Sequence, residues 1–95
     1  MNNLQEVQNK ITEMIKSDYP EPIFKVTNDN EIEFQFDETS YNGIMTITQD
    51  NGFYLEGPYV LIEDPSETVD VFMNEFKDLY EKELEELSIY EKQYN

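Results

Sequence analysis

Carboxylates are the side chains of this chain that are numerous and closely spaced enough to suggest chemistry: 22 aspartates and glutamates stand against six lysines in 95 residues. Two carboxylates flanking one bond can act as acid and base, as in glycoside hydrolysis. That chemistry usually draws on further groups, and here the usual nucleophiles, bases and oxyanion clamps are missing, because histidine, cysteine and arginine are all absent. The acids also fall mainly on faces patterned as solvated, so the chain reads as a binder and not an enzyme. A second use of carboxylates is calcium, and Asn28-Asp29-Asn30-Glu31 and Asp50-Asn51-Gly52 place oxygen ligands in turns. Neither has the twelve-residue spacing of an EF-hand loop, and Asn, Asp and Gly in this order are common turn chemistry. The reading is therefore no metal and no cofactor.

The net charge of −16 exceeds what solubility asks of a small domain, about 2–8 in magnitude, and it adds self-repulsion that the fold must overcome. A dense negative field attracts cations or basic proteins and is repelled by DNA and by anionic lipid. Neither nucleic acid nor membrane is then a direct partner. No stretch approaches the roughly 20 apolar residues of a membrane span, and residues 1–17 are polar without a signal-peptide core. The expectation is a cytoplasmic protein, and the lack of cysteine fits a reducing compartment.

Thirteen aromatics with Ile, Leu, Val and Met supply enough apolar area for one core, so residues 1–95 are read as a single acidic domain. Asn3 and Glu6 resemble a capping box. Leu4, Val7, Ile11, Met14 and Ile15 then recur at helical spacing, and Ser17-Asp18-Tyr19-Pro20 ends the helix. Residues 22–27 read as a strand. Residues 31–37 alternate strictly, with Ile32, Phe34 and Phe36 on one face and Glu31, Glu33, Gln35 and Asp37 on the other. After a polar loop at 38–43, strands are expected at 44–49, 53–56 and 59–62, with Asp50-Asn51-Gly52 as a tight hairpin and Gly57-Pro58 as an interruption. Asp64-Pro65-Ser66-Glu67 carries an N-cap acid, a first-turn proline and a glutamate three residues on, which predicts a helix from 66 to 92. Its apolar stripe is Val69, Phe72, Met73, Phe76, Leu79, Tyr80, Leu87 and Tyr90. The fold class is α+β: an antiparallel meander of three to five strands flanked by an N-terminal helix and a longer C-terminal helix.

Tyr41, Tyr54, Tyr59, Tyr90 and Tyr94 are candidate anchors, since tyrosine is amphipathic and enriched at the centres of protein interfaces. The last helix alone is a poor copy of a duplex. It carries nine acids between 66 and 92, about one per 4–5 Å over roughly 40 Å, against one phosphate per ~3.4 Å on each DNA strand. DNA mimicry would need acids from the Asp18 turn, the Asp50 turn and this helix to converge on one surface.

Three segments resemble the small acidic anti-CRISPR proteins of phages and prophages that inhibit the type II CRISPR nuclease by imitating DNA. Residues 11–19, ending Lys16-Ser17-Asp18-Tyr19, are similar to that family's first helix and its Lys-x-Asp-Tyr turn. Gln49-Asp50-Asn51-Gly52-Phe53-Tyr54 is similar to its acidic hairpin, and residues 69–83, with Phe72, Phe76-Lys77, Tyr80 and Glu83, to its Phe-x-x-x-Phe-Lys helix followed by an acidic run. The chain departs from the family at Pro20-Glu21-Pro22, in the 38–43 loop and in the 59–62 run. The resemblance implies a phage- or prophage-encoded inhibitor, a monomer or weak dimer, that binds the nuclease–guide RNA complex where the protein reads the short DNA motif beside its target. It implies partner contacts at Asp18, Tyr19, Asp50, Asn51, Tyr54, Glu81, Glu85 and Glu86, with the acids facing basic residues that otherwise hold DNA. An immunity protein or antitoxin covering the basic active site of a nuclease or toxin would share the same acidity, and a calcium-responsive acidic domain is a third reading.

Overall fold

The computed structural model describes residues 3–16, 21–38, 42–65 and 68–94. The first helix, α1 (Asn3–Ile15), buries Leu4, Val7, Ile11 and Ile15 along one stripe, with Met14 partly buried beside them. Five strands follow: β1 (Ile23–Asn28), β2 (Glu31–Gln35), β3 (Met45–Gln49), β4 (Phe53–Glu56) and β5 (Leu61–Asp64). They pair in sequence order, each antiparallel to the next, so the sheet is a five-stranded meander with β1 and β5 at its edges. The long helix α2 (Val69–Tyr94) closes the chain. This is the α+β arrangement that the patterning predicts, at the upper end of the expected strand count.

Period-two alternation decides which face is core. Ile32, Phe34, Met45, Ile47, Phe53, Leu55 and Ile62 all point to one side and are buried. Against that side lie both helices, which pack on each other as well as on the sheet. An aromatic seam joins the layers: Phe53 meets Phe72 at 5.5 Å between ring centroids, Phe34 and Phe36 meet Phe76 at 5.7 and 5.9 Å, and Phe36 reaches Tyr80 at 6.4 Å. These separations fall in the range of favourable offset and edge-on aromatic pairs.

The seam also fixes the direction of α2. Phe53 lies at the end of the sheet that carries the β3–β4 turn, whereas Phe36 follows the opposite end of β2. The helix therefore crosses from the first end to the second as it runs from Phe72 to Tyr80. A helix of 26 residues is ~39 Å long against ~17 Å for a five-residue strand. Its last turns extend past the sheet, which accounts for a long axis of 44 Å beside short axes of 23 and 21 Å.

The strand read at 31–37 ends at Gln35, leaving Phe36 and Asp37 beyond the ladder, and two larger boundary shifts accompany it. The last strand lies at 61–64, not 59–62, because Pro58 and Tyr59 sit in a tight turn closed by Gly57 N–H donating to Val60 C=O at 3.0 Å. The long helix begins at Val69, not after Asp64. Asp64 is the last residue of β5, paired with Phe53 and buried at 2 % exposure, so sheet pairing wins over the local start signal. Phe72 N–H donates to Thr68 C=O at 3.1 Å, which makes Thr68 the capping residue. Ser66 and Glu67 lie outside the described residues.

Candidate partner-binding surface

Covering only one side of the sheet leaves the other side open among the described residues. The register makes this outer face a lattice of named side chains. One row runs Lys25, Glu33, Thr46, Glu56 and Leu61 across all five strands, and the next runs Glu31, Thr48, Tyr54 and Glu63 from β2 to β5. Neighbouring strands are ~4.8 Å apart and alternate residues on one strand ~6.8 Å. Glu33 and Glu56 therefore stand about 10 Å apart with Thr46 between them, and Glu31 and Glu63 about 14 Å apart across Thr48 and Tyr54. Lys25 is the one cation on this face among the described residues.

Between the charges the surface is neutral and shallowly concave. A groove of about 510 Å³ is lined by Ile44, Thr46, Thr48, Tyr54 and Pro58 together with Glu31 and Glu56. The half-buried ring of Tyr54 stands between Thr48 and Glu63. Glu31 is positioned from below by Thr27, whose hydroxyl lies 2.9 Å from both the Glu31 carbonyl and Oε1 and can donate to either.

The residues singled out by sequence fall in three places. Asp50 and Asn51 are exposed at the β3–β4 tip, where Asn51 takes the left-handed conformation (φ 54°). The loop is three residues long, since Gln49 pairs with Phe53, and Gly52 packs so closely on the end of β5 that an added Cβ would lie 2.5 Å from Asp64 O. Tyr54 belongs to the open sheet face. Glu81, Glu85 and Glu86 are exposed on the distal half of α2. Thirteen residues of helix between Phe72, beside the tip, and Glu85 correspond to ~20 Å of rise. The structure thus sets the Asp50 tip and the Glu81–Glu86 acids toward opposite ends of the sheet instead of side by side. Asp18 and Tyr19 lie outside the described residues, as does Tyr41; the side chains of Tyr90 and Tyr94 are likewise not described. Tyr59, in the β4–β5 turn, is 70 % exposed.

Two features were not anticipated. The alternation at 31–37 marks β2 as acidic on one side, but only the pairing of five strands shows that Glu56 and Glu63 extend the same face. Glu83, expected within the solvated acidic run of the last helix, is instead buried at 3 % exposure, and its Oε2 accepts a 2.6 Å hydrogen bond from Asn42 Nδ2. Four residues after Leu79 and three after Tyr80, Glu83 lies on the buried stripe, where the loop before β3 meets it.

Among the described residues no group of three or more Asp, Glu, His or Cys side chains is placed to hold a metal ion. In the Asn28 turn the side-chain oxygen Oδ1 accepts the Asn30 N–H at 2.8 Å, the usual bond of an Asx turn. No helix among the described residues is long and apolar enough to cross a membrane. Comparison with protein-family models, curated proteins and solved structures finds no match.

Proposed function

We propose that this chain is a stoichiometric inhibitor that occupies the DNA-recognition surface of a type II CRISPR nuclease–guide RNA complex. The observation that carries the reading is the open sheet face, where Glu31, Glu33, Glu56 and Glu63 surround a neutral floor of threonines and Tyr54. A surface that reads guanines does so through arginines in bidentate pairs, and a carboxylate offers the same two acceptors. Rows of acids spaced about 7 Å along strands and 10–14 Å across them give several such acceptors on one rigid platform. The tyrosine supplies the amphipathic anchor that a purely charged face lacks. The sequence resemblance points to the same partner class, and the net charge of −16 provides long-range attraction to a basic groove.

The placement of Asp50 and Glu85 revises the reading: the tip and helix acids do not converge on one surface, so the sheet face takes over the role expected of them. Separated by most of the sheet, they would touch the margins of a partner groove, and the sheet face would fill its centre. The test compares two double reversals of equal charge, Glu33→Lys with Glu56→Lys on the sheet and Glu6→Lys with Glu13→Lys on α1. The sheet pair is expected to weaken binding to the nuclease–guide complex at least about tenfold, ~1.4 kcal/mol, and the helix pair by less than about threefold. Equal losses would mean that bulk charge alone matters and would remove the sheet face from the account.

A further inference from the structure

The two edges of the sheet are built differently. On β1 the register shifts between Val26 and Asn28, and Lys25 stands in the strand; a bulge and a lysine are two common devices that keep an edge from pairing with another chain. On β5 neither is present. Its register with β4 is regular over all four pairs, and its prolines, Pro58 and Pro65, stand outside it.

The hydrogen-bond phase shows what this edge offers. Gly57 and Val60 are opposite each other and bonded, Gly57 N–H to Val60 C=O. Bonded and non-bonded pairs alternate along an antiparallel ladder. Leu55–Ile62 and Phe53–Asp64 are then the bonded pairs, and the N–H and C=O groups of Leu61 and Glu63 point away from β4, out of the sheet. Among the described residues these groups have no hydrogen-bond partner. Leu61 is also 62 % exposed. Below the edge, between β5 and α2, lies a groove of about 490 Å³ whose walls include Glu63, Glu75 and Asp78, with Lys82 as its one cation.

We propose that β5 accepts an extended, lysine- or arginine-bearing segment of the partner as a sixth strand. Main-chain bonds to Leu61 and Glu63 would hold the segment. Its side chains on one side would lie beside Leu61 and Glu63, and those on the other would enter the groove toward Glu75 and Asp78. Charge selects the occupant: a second copy would bring another −16 to the edge and set Glu63 against acids of its own kind, whereas a basic strand meets opposite charge on both sides. The proposal rests on the reading that the partner is a basic protein, and not on which one.

The probe is a short synthetic peptide of alternating lysine and valine, compared with the same peptide N-methylated at every backbone nitrogen, which keeps charge and removes the main-chain donors from both edges. With the unmodified peptide, exchange of the Leu61 and Glu63 amide protons is expected to slow about tenfold or more, and with the methylated peptide to remain unchanged. Leu61→Pro, which removes an outward N–H without touching the β4 ladder, should weaken binding of the unmodified peptide about tenfold while the Leu61→Ala control does not. Equal binding of the two peptides, or binding without protection at these amides, would overturn the proposal. Protection by the peptide together with failure to inhibit the nuclease would refute the function proposed above and leave the edge standing. Full inhibition by Leu61→Pro with no protection would do the reverse.

Discussion

Gly52 holds the hairpin tip that presents Asp50 and Asn51, and its replacement by alanine is the sharpest test of how that tip is seated. A Cβ at this position would stand 2.5 Å from Asp64 O and 2.9 Å from Pro65 Cα, both backbone atoms that cannot swing aside. Unstrained contacts are about 3.5–4.0 Å, so the tip and the end of β5 must separate by roughly 1 Å. Overpacking of this kind costs about 1–3 kcal/mol. The backbone adds to it, because φ is +148° at Gly52 and an L-residue there is strained by about 1–3 kcal/mol. Allowing for the smaller entropy of the unfolded alanine chain, ~0.4–1 kcal/mol, the net loss is about 2–5 kcal/mol. For a domain of this size that lowers Tm by about 8–40 °C. Gly43→Ala is the control: φ is +66°, but the added Cβ meets Pro58 Cγ at an ordinary 3.6 Å, leaving the backbone cost alone. Thermal or urea denaturation of the two variants compares clash plus backbone strain at Gly52 with backbone strain alone at Gly43. Should Gly52→Ala be no more destabilised than Gly43→Ala, the close approach of the tip to Asp64 and Pro65 is wrong, and with it the position assigned to Asp50.

Removing the Asn42 amide takes its hydrogen bond from the buried Glu83 side chain, so Asn42→Ala should cost about 1–3 kcal/mol in denaturant titration. Glu83→Gln, which keeps the shape and an acceptor, should cost less; the opposite ranking would show that the pair does not support the loop before β3. Salt should act in opposite directions on folding and on binding. Screening the self-repulsion of a −16 chain should raise Tm by about 4–8 °C between low and half-molar salt, on the order of 1 kcal/mol, while affinity for a basic partner falls. A Tm that drops with salt would contradict net repulsion as the dominant surface effect.

Local patterning made much of the fold legible. Strict alternation in residues 31–37 identified a half-buried strand and its core face, and Asn51-Gly52 announced a hairpin because both residues tolerate positive φ. The spacing of Phe72, Phe76 and Tyr80 likewise fixed the buried stripe of the long helix. Reading failed where a distant partner overrode a local signal. Asp64-Pro65 looks like a helix start, but pairing of Asp64 with Phe53 claims it for β5. Glu83 looks solvated among its acidic neighbours, but the loop carrying Asn42 covers it. The surface was legible only in part for the same reason. Which acids share a face depends on strand register, which gathers Glu33, Glu56 and Glu63. How far Asp50 stands from Glu85 depends on the direction in which α2 crosses the sheet, and no short motif encodes that direction.

Occlusion of a DNA-binding surface is decided by competition. A type II nuclease is assembled with its guide RNA and mixed with this protein. Binding of a duplex carrying the short recognition motif is then measured as the protein is titrated. The account predicts that DNA binding is lost near equimolar protein and recovers when Glu33 and Glu56 are both reversed to lysine. Undiminished DNA binding with the protein in large excess would contradict it.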